Sequence, residues 1–497
     1  MTLVHVLLRV SRDQHFNDPA PCAMAGAGCP NFIVVFTLLL CSLNTLLLLQ
    51  LLAEFHQDPE SSDIVEIASR HHERASDPPA ISMTCAASAS PLPQLPPSLA
   101  NWTILWHAPF FSGGGYCSEA WSYFYLLQAM GADVRIVQHG DGVEPLFVSE
   151  MNGDQTRAAA SSARAINRRI ISVCHSEPGA WTAPSPRFST SRCPHPMADI
   201  AIGRTMFETD RLPQGWPQRL LHMHRVWVPT LFHQRVFAQG AEHSLAERLR
   251  VLPQTVEEVG VGCLSPLDSR SLRRINADSR FKFLAVGKWE RRKGWDVLLR
   301  AWCKAFPAVG SGDQAQEVLL VRTASYHSSS DFESLIDAEL KSDKGGTGRA
   351  ACAPIELLPT MSADEMKHLY RSVQALVSTS HGEGWGRPLA EAAAAGCPVI
   401  SPDWSGPTAF LTNATATLIP VRSLQLVGEG AFADHMWASI DVDDARDALL
   451  SVRHNLRQAK EKAAAAQADM SGRFGAAAVG RELAMLLDEA VQSKWQQ

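Results

Sequence analysis

From about residue 101 onward, short apolar runs alternate with stretches whose apolar positions recur at helical spacing. Trp102–Trp106, Val134–Val137, Arg169–Val173 and Ile200–Ile202 read as strands. Between the first two lies an amphipathic helix carrying Ala120, Trp121, Phe124, Leu127 and Met130, closed by Gly131. Arg225–Pro229 and Val251–Pro253 complete this set, with a helix over Phe232–Phe237. Around residues 264–280 the chain turns polar and charged, which predicts a linker. A second series follows: strand 281–286, a helix with Val297, Leu298, Ala301 and Trp302, then strands at Val318–Val321, Ile355–Leu358, Ala375–Val377 and Val399-Ile400. Ser362 caps the helix Ser362–Arg371, and Glu365 completes a capping box. The alternation predicts an α/β protein with two Rossmann-like domains, 101–265 and 279–425. Residues 426–497 read as carboxy-terminal helices, amphipathic at Arg457–Ala468 and Ala477–Val491. Asp441-Val442-Asp443 precedes a helix at Ala445–Leu456 and reads as its cap rather than as a metal motif.

The amino-terminal hundred residues follow a different pattern. Phe32 to Ala53 is an uncharged apolar run; its roughly 22 residues span about 33 Å as a helix, enough to cross a bilayer. It reads as a signal anchor preceded by a tail, 1–31. Arg9 and Arg12 lie before it, and Glu54, Asp58, Glu60 and Asp63 after it, which keeps the tail cytosolic and the bulk of the chain lumenal. Residues 54–100, rich in Ser, Pro and Ala, read as an extended stem. Acceptor sequons at Asn101 and Asn413 are compatible with that side of the membrane.

Composition narrows the function. A net charge of −6 and a pI near 6.3 give no footprint for nucleic acid. Eleven cysteines occur without metal-type spacing. Most are expected as buried free thiols, with some pairing if the fold faces an oxidising lumen.

The richest chemistry lies in His381-Gly382-Glu383-Gly384-Trp385-Gly386-Arg387-Pro388-Leu389-Ala390-Glu391, which runs on through an alanine helix to Gly396-Cys397-Pro398-Val399-Ile400. Glycines at 382, 384 and 386 allow the backbone to approach a ligand closely. Pro388 suits the first helical turn. The free N–H groups there make an anion site, and a carboxylate on either side can accept from hydroxyls. A sugar nucleotide has that layout. Earlier, Gly113, Gly114 and Gly115 form a strand-to-helix turn without the G-x-G-x-x-G dinucleotide pattern. His175 ends a strand where open α/β sheets bind ligands. In K-W-E-R-R-K-G, Lys293 can neutralise a diphosphate as a point charge, whereas Arg291 and Arg292 read as a solvated basic turn.

Glu383 and Glu391, with seven residues between them inside E-G-W-G-R-P-L-A-E-A-A-A-A-G-C-P-V-I, resemble the signature of retaining glycosyltransferases of family 4, which have the GT-B fold of two Rossmann-like domains facing across a crevice. The resemblance covers roughly residues 102–490. It implies Glu383 on the donor sugar and Glu391 on the ribose, with Gly384, Trp385 and Gly386 at the donor. Gly113–Gly115 would lie beside the donor phosphates and the acceptor, and His175 would point at the sugar. The basic loop is similar to the family's G-R…K-G, which implies Lys293 on the diphosphate; Lys288 replaces the usual arginine. Gly203–Trp216, containing Glu208, is similar to a stretch in related sugar transferases, without fixing a role for Glu208. In this fold the last helix crosses back onto the first domain. The implied protein is a metal-independent retaining hexosyltransferase using a nucleotide-sugar donor and a hydroxyl acceptor on a glycan, glycoprotein or lipid. Tail, span, stem and catalytic region resemble the layout of Golgi glycosyltransferases, single-pass type II in the Golgi or endoplasmic reticulum membrane. The alternatives are a non-catalytic sugar-nucleotide-binding subunit of a glycosylation complex and a GT-B sugar-nucleotide epimerase.

Overall fold

The computed structural model describes residues 91–149, 151–161, 168–182, 190–239, 243–256, 269–308, 315–325, 330–341 and 348–494. The tail 1–31, the apolar run 32–53 and most of the 54–100 stem lie outside these ranges. Among the described residues, no helix is long and apolar enough to cross a membrane.

Two parallel six-stranded sheets carry the fold. The amino-terminal sheet contains β1 (Trp102–Ala108), β2 (Asp133–Gln138), β3 (Arg169–His175), β4 (Ile200–Arg204), β5 (Arg225–Val228) and β6 (Leu249–Val251), in the order β2-β1-β3-β4-β5-β6. The other contains β7 (Phe281–Trp289), β8 (Glu317–Ser325), β9 (Ile355–Leu357), β10 (Ala375–Val377), β11 (Val399–Pro402) and β12 (Thr417–Ile419), in the order β12-β11-β10-β7-β8-β9. Strands such as β1, buried at every position, show why both sheets read as continuous apolar runs: helices cover both faces. In each sheet the order reverses beside the first strand, and that switch point opens the crevice at the strands' carboxyl ends.

The helices that position the crevice are α1 (Gly115–Ala129), α2 (Leu231–Ala238), α3 (Arg270–Ala277), α4 (Trp295–Ala305), α5 (Ala363–Ser372) and α6 (Arg387–Ala394). Ser362 and Glu365 form the capping box of α5. The 264–280 stretch, read as a linker, contains α3. Its apolar content is only Leu272, Ile275 and Ala277, yet Leu272 and Ile275 are buried three residues apart on one face, and Ser269 caps the helix. Strand β7 also runs past its expected end, through Gly287 to Trp289, because Lys288 and Trp289 pair with Ala324 and Ser325 of β8.

Residues 426–497 are not wholly helical. An antiparallel hairpin, β13 (Ser423–Leu426) with β14 (Met436–Ser439), comes before α7 (Val442–His454), α8 (Leu456–Phe474) and α9 (Ala476–Lys494). Asp441 caps α7 by accepting from the N–H groups of Asp443 and Asp444. Helix α9 lies on the amino-terminal half, placing Val479, Leu483, Leu487 and Val491 in its core beside Trp106 and Tyr123. Glu489 fixes it there with ion pairs to Arg225 and Arg250. Beside α9, Leu92 and Leu95 pack on the same core and Leu99 is buried within it, so the packed region begins before residue 101.

The described cysteines differ from the free-thiol expectation. Cys174 bonds to Cys193 in the amino-terminal half and Cys303 to Cys352 in the other. Cys117 and Cys397 are the free, buried pair among the described residues.

Candidate functional site

The site is centred on the turn between β7 and α4 and the loop between β10 and α6. The first turn ends in Gly294, whose φ of +65° and whose place against Thr379 leave no room for a side chain: a Cβ there would lie 2.1 Å from the Thr379 carbonyl oxygen. This close approach brings the R-R-K-G turn under the 381–386 loop. The His381 N–H donates to the Arg292 carbonyl at 2.8 Å, and the Ser380 hydroxyl donates to the same oxygen.

Glu383 is largely buried between two cations. Lys293 Nζ donates to its Oε1 at 2.6 Å, and Arg292 Nη1 to its Oε2 at 3.2 Å. Burial by itself would raise the Glu383 pKa, but the Lys293 and Arg292 charges outweigh it and hold the carboxyl at about 2. Gly287 gives the Lys293 stem its space, since a Cβ there would lie 3.4 Å from Cγ and Cδ. Lys288 is exposed on β7; its carbonyl accepts from the Trp295 indole at 3.0 Å.

Arg292 is not a solvated turn residue. Its Nη1 also donates to the Gly382 carbonyl at 2.7 Å and its Nη2 to Glu290 at 2.7 Å, while Glu208 of the opposite half lies 3.7 Å away. Burial lowers its pKa, and the carboxylates of Glu208, Glu383 and Glu290 more than reverse that, leaving it raised. Its role escaped the sequence because two of these partners lie in loops distant along the chain.

The stretch S-P-D-W-S-G-P-T after Ile400 fits, by resemblance, a loop closing over the donor, but nothing in the sequence singles out Ser405 within it. Ser405 is the one non-glycine residue with positive φ among those described, at +62°. Its hydroxyl accepts from the Glu383 N–H at 2.9 Å, and the next residue, Gly406, donates to the Glu383 carbonyl at 3.0 Å. The S-P-D-W-S-G-P-T stretch therefore fixes both faces of the Glu383 peptide. Backbone strain at such a position persists only where its surroundings enforce it.

Glu391 sits at the far end of the same loop–helix unit, on α6. Tyr370 Oη donates to it at 3.1 Å and Arg387 pairs with it at 3.3 Å. Burial and then the Glu391 charge push the Tyr370 hydroxyl well above its usual pKa, so it stays a donor. Beside them is a cavity of about 230 Å³ lined by Thr255, Met361, Tyr370, Arg387 and Glu391.

Several of the expected residues also make contacts within the protein itself. Trp385 packs against Phe410 and Phe474 at 5.0 and 5.2 Å, so its ring belongs to the core and forms only part of the cavity wall. Gly382 admits backbone and Gly384 a side chain from the opposite half: a Cβ on them would lie 2.2 Å from the Glu208 carbonyl oxygen and 2.3 Å from Met206 Sδ. Gly386 serves geometry, taking φ +85° to start α6. His175 is fully buried and does not face open crevice. Trp106 Nε1–H donates to its Nδ1 at 3.0 Å, which leaves Nε2 as the protonated nitrogen, 3.2 Å from Glu119. Glu119 in turn binds the buried Arg204, which donates to the Leu252 carbonyl. Burial lowers the His175 pKa and leaves the ring neutral.

Gly113–Gly115 lead into α1. Gly113 has φ +66° and faces Glu144; Gly114 is the helix N-cap. The next residue, Tyr116, reaches across to Thr205 and Met206 at the base of the 205–211 loop. That loop joins the two halves. Phe207 packs on Phe432, Thr209 Oγ1 lies 2.7 Å from His435 Nδ1, and Asp210 pairs with the Met436 backbone at both its N–H and its carboxylate.

Residues 280–436 match the family model described as Glycosyl transferases group 1, a span that contains Lys288, Lys293, Glu383 and Glu391. No curated protein sequence matches the chain. Among solved structures, a sucrose-phosphate synthase from Thermosynechococcus elongatus superposes with TM-score 0.53 at 13% identity, over 79% of this chain and 100% of that one. A glycosyltransferase from Rickettsia africae gives TM-score 0.52 at 15% identity, over 79% and 99%. A trehalose-6-phosphate synthase gives 0.52 at 10%, over 78% and 99%. At these identities the likeness is one of fold, and the chain shares with all three a two-domain architecture of facing Rossmann-like halves.

Proposed function

We propose that this chain is a retaining glycosyltransferase of the family 4 type, moving a hexosyl group from a nucleotide sugar to an acceptor hydroxyl without a metal. The observation that carries the reading is the placing of Glu383 and Glu391 at opposite ends of one loop–helix unit, the first against Lys293 and the second beside a cavity of about 230 Å³. The matched Glycosyl transferases group 1 segment supports it.

In this reading the nucleoside occupies the cavity, with its ribose hydroxyls donating to Glu391. The diphosphate draws Lys293 Nζ away from Glu383, and the positive end of α6 adds to the stabilisation. Glu383, released from Lys293, accepts from hydroxyls of the transferred sugar. The anomeric carbon–oxygen bond to the diphosphate breaks as the acceptor oxygen bonds on the same face. The acceptor proton passes to the leaving phosphate oxygen, so configuration is retained without a protein nucleophile.

We place the enzyme in the Golgi or endoplasmic reticulum, type II, with 91–494 in the lumen. Supporting this is a disulfide in each half, since disulfides persist in oxidising compartments.

The test is a donor screen. Soluble protein from residue 91 onward is incubated with UDP-, GDP- and ADP-sugars and hydroxyl acceptors, and nucleoside diphosphate release and product configuration are measured. Release from one donor class with α-configuration kept supports the proposal. Absence of release from every donor, or inverted product, refutes it.

A further inference from the structure

Arg292 stands inside three carboxylates and one carbonyl, and the halves of the protein supply them unequally. Gly382, Glu383 and Glu290 belong to its own half; Glu208 reaches it from the other. Its neighbours in sequence differ from it. Arg291 points away, donating to the Val427 carbonyl at 2.7 Å and pairing with Glu429, with half its side chain exposed. Lys293 shares Glu383 with Arg292, each taking one carboxylate oxygen.

The two cations cannot respond alike to an incoming diphosphate. Lys293 is a point charge on a flexible stem beside Gly287, and it can swing. The Arg292 fork is held by Glu290 on one nitrogen and by the Gly382 carbonyl on the other. When Lys293 leaves, Glu383 would be a buried carboxylate without a cation beside it unless Arg292 remained, and such a charge is strongly unfavourable. We propose that Arg292 is a positioning residue that keeps Glu383 aligned for the transferred sugar while Lys293 is engaged by the diphosphate, with Glu208 of the other half 3.7 Å from the same guanidinium. This rests on the proposed function for its catalytic part alone; the hold itself is a property of the free protein.

Two measurements test it. The first needs no donor: melting temperature between pH 7 and pH 5 for the wild type, K293M, R292M and R292M/K293M. With either cation present Glu383 keeps a partner, so K293M follows the wild-type profile. In R292M/K293M the buried carboxylate has no cation beside it and costs stability while charged, so its melting temperature rises relative to the wild type as pH falls. Adding E383Q removes that relative rise. A relative rise already complete in K293M overturns the proposal, as does a double variant with none.

The second uses the donor found in the screen, with binding of the matching nucleoside diphosphate followed by calorimetry. R292M and R292K, the latter guarding against a folding defect, should lower kcat by about 10- to 100-fold with nucleotide affinity within about threefold of wild type. An ammonium cannot reproduce the three-way fork, so R292K stays impaired. R291A, the neighbouring control, should turn over like the wild type. Equal losses of kcat and nucleotide affinity, or a fully active R292K, overturn the proposal. If the wild type releases nucleotide from no donor, the proposed function fails while the melting profiles still decide the role of Arg292.

Discussion

Lys293 Nζ and Glu383 Oε1 are 2.6 Å apart, joining two loops that lie ninety positions from each other along the chain. The bond is short and largely shielded from solvent, and it joins the β7–α4 turn to the 381–386 loop beside the Arg292–Gly382 and His381–Arg292 bonds. It makes Lys293 both a structural partner of Glu383 and the proposed receptor of the donor diphosphate. Lys293→Ala should therefore lower turnover by about 30- to 1000-fold, the equivalent of roughly 2–4 kcal/mol of lost phosphate stabilisation. Arg292 still holds Glu383, so the melting temperature at pH 7 should move little. Steady-state rates beside a thermal melt check this; unchanged kinetics would return Lys293 to a structural role.

Glu383 and Glu391 should fail differently. Ribose contacts change little between ground and transition state, so Glu391→Gln and Tyr370→Phe should mainly weaken nucleoside diphosphate binding. Glu383→Gln should reduce kcat more than nucleotide affinity. Calorimetry alongside rates separates the two, and a larger loss of nucleotide affinity from Glu383→Gln would reverse the assignments.

Ser405 offers a test of strain against contact. Ser405→Ala keeps the unfavourable φ of +62° and removes the acceptor for the Glu383 N–H, so both stability and turnover should fall. Ser405→Gly relieves the backbone cost, and its stability should exceed that of Ser405→Ala by about 1 kcal/mol. Turnover should drop in both, by about 3- to 10-fold for one hydrogen bond. A fully active Ser405→Gly would show that the hydroxyl does not orient Glu383.

Much of this arrangement is visible in the amino acids themselves. Gly386, Pro388 and the alanine run of α6 act on their own backbone, and so do the capping residues Ser362, Glu365 and Asp441. Short-range chemistry of this kind survives reading in one dimension. The burial of His175 depends on Glu119 and Trp106, and the confinement of Arg292 on Glu208, Gly382 and Glu383. No local pattern encodes such meetings. Trp385 illustrates the same limit: nothing in its glycine-rich loop shows that Phe410 and Phe474 pack against its ring.

Acid should weaken the fold in two windows. His139 is buried, which depresses its folded pKa to about 4, below the unfolded value of about 6.5. The stability it contributes is complete above about 6.5 and lost as pH falls toward 4. Glu119 is buried as well, but Arg204 and His175 overcome that cost and hold it at about 2, below the unfolded value of about 4.3. Its contribution is present above about 4.3 and lost as pH falls through 2. Melting temperature against pH should show both declines, and His139→Gln should reduce the upper one, to which the buried His107 and His233 also contribute, without changing the lower. An upper decline unchanged in His139→Gln would mean that other groups set it.

Both disulfides should be measurable in protein made in the secretory route. Bridging positions 49 apart, Cys303–Cys352 should contribute about 4 kcal/mol in the loop-entropy model, and Cys174–Cys193 about 3. Reduction should lower the melting temperature, and the Cys303→Ala/Cys352→Ala variant should lose most of its response to reductant. Thiol titration that finds all four cysteines free in secreted protein would remove the oxidising-lumen assignment.

Helix α9 fixes the order in which the molecule can be completed. Leu252 and the strands before it leave the ribosome long before Val479, Leu483, Leu487 and Val491, which fill the same core. At about 5–20 residues per second, the intervening 239 residues (491 − 252) take roughly 12 to 48 seconds to make. Throughout that interval the first half waits with an open apolar face, while the second half, whose sheet is encoded later, has the shorter delay before its own elements are all present. The half made first is thus sealed last. Its dependence on chaperones during synthesis, and its intolerance of a missing carboxy terminus, are built into the path of the chain.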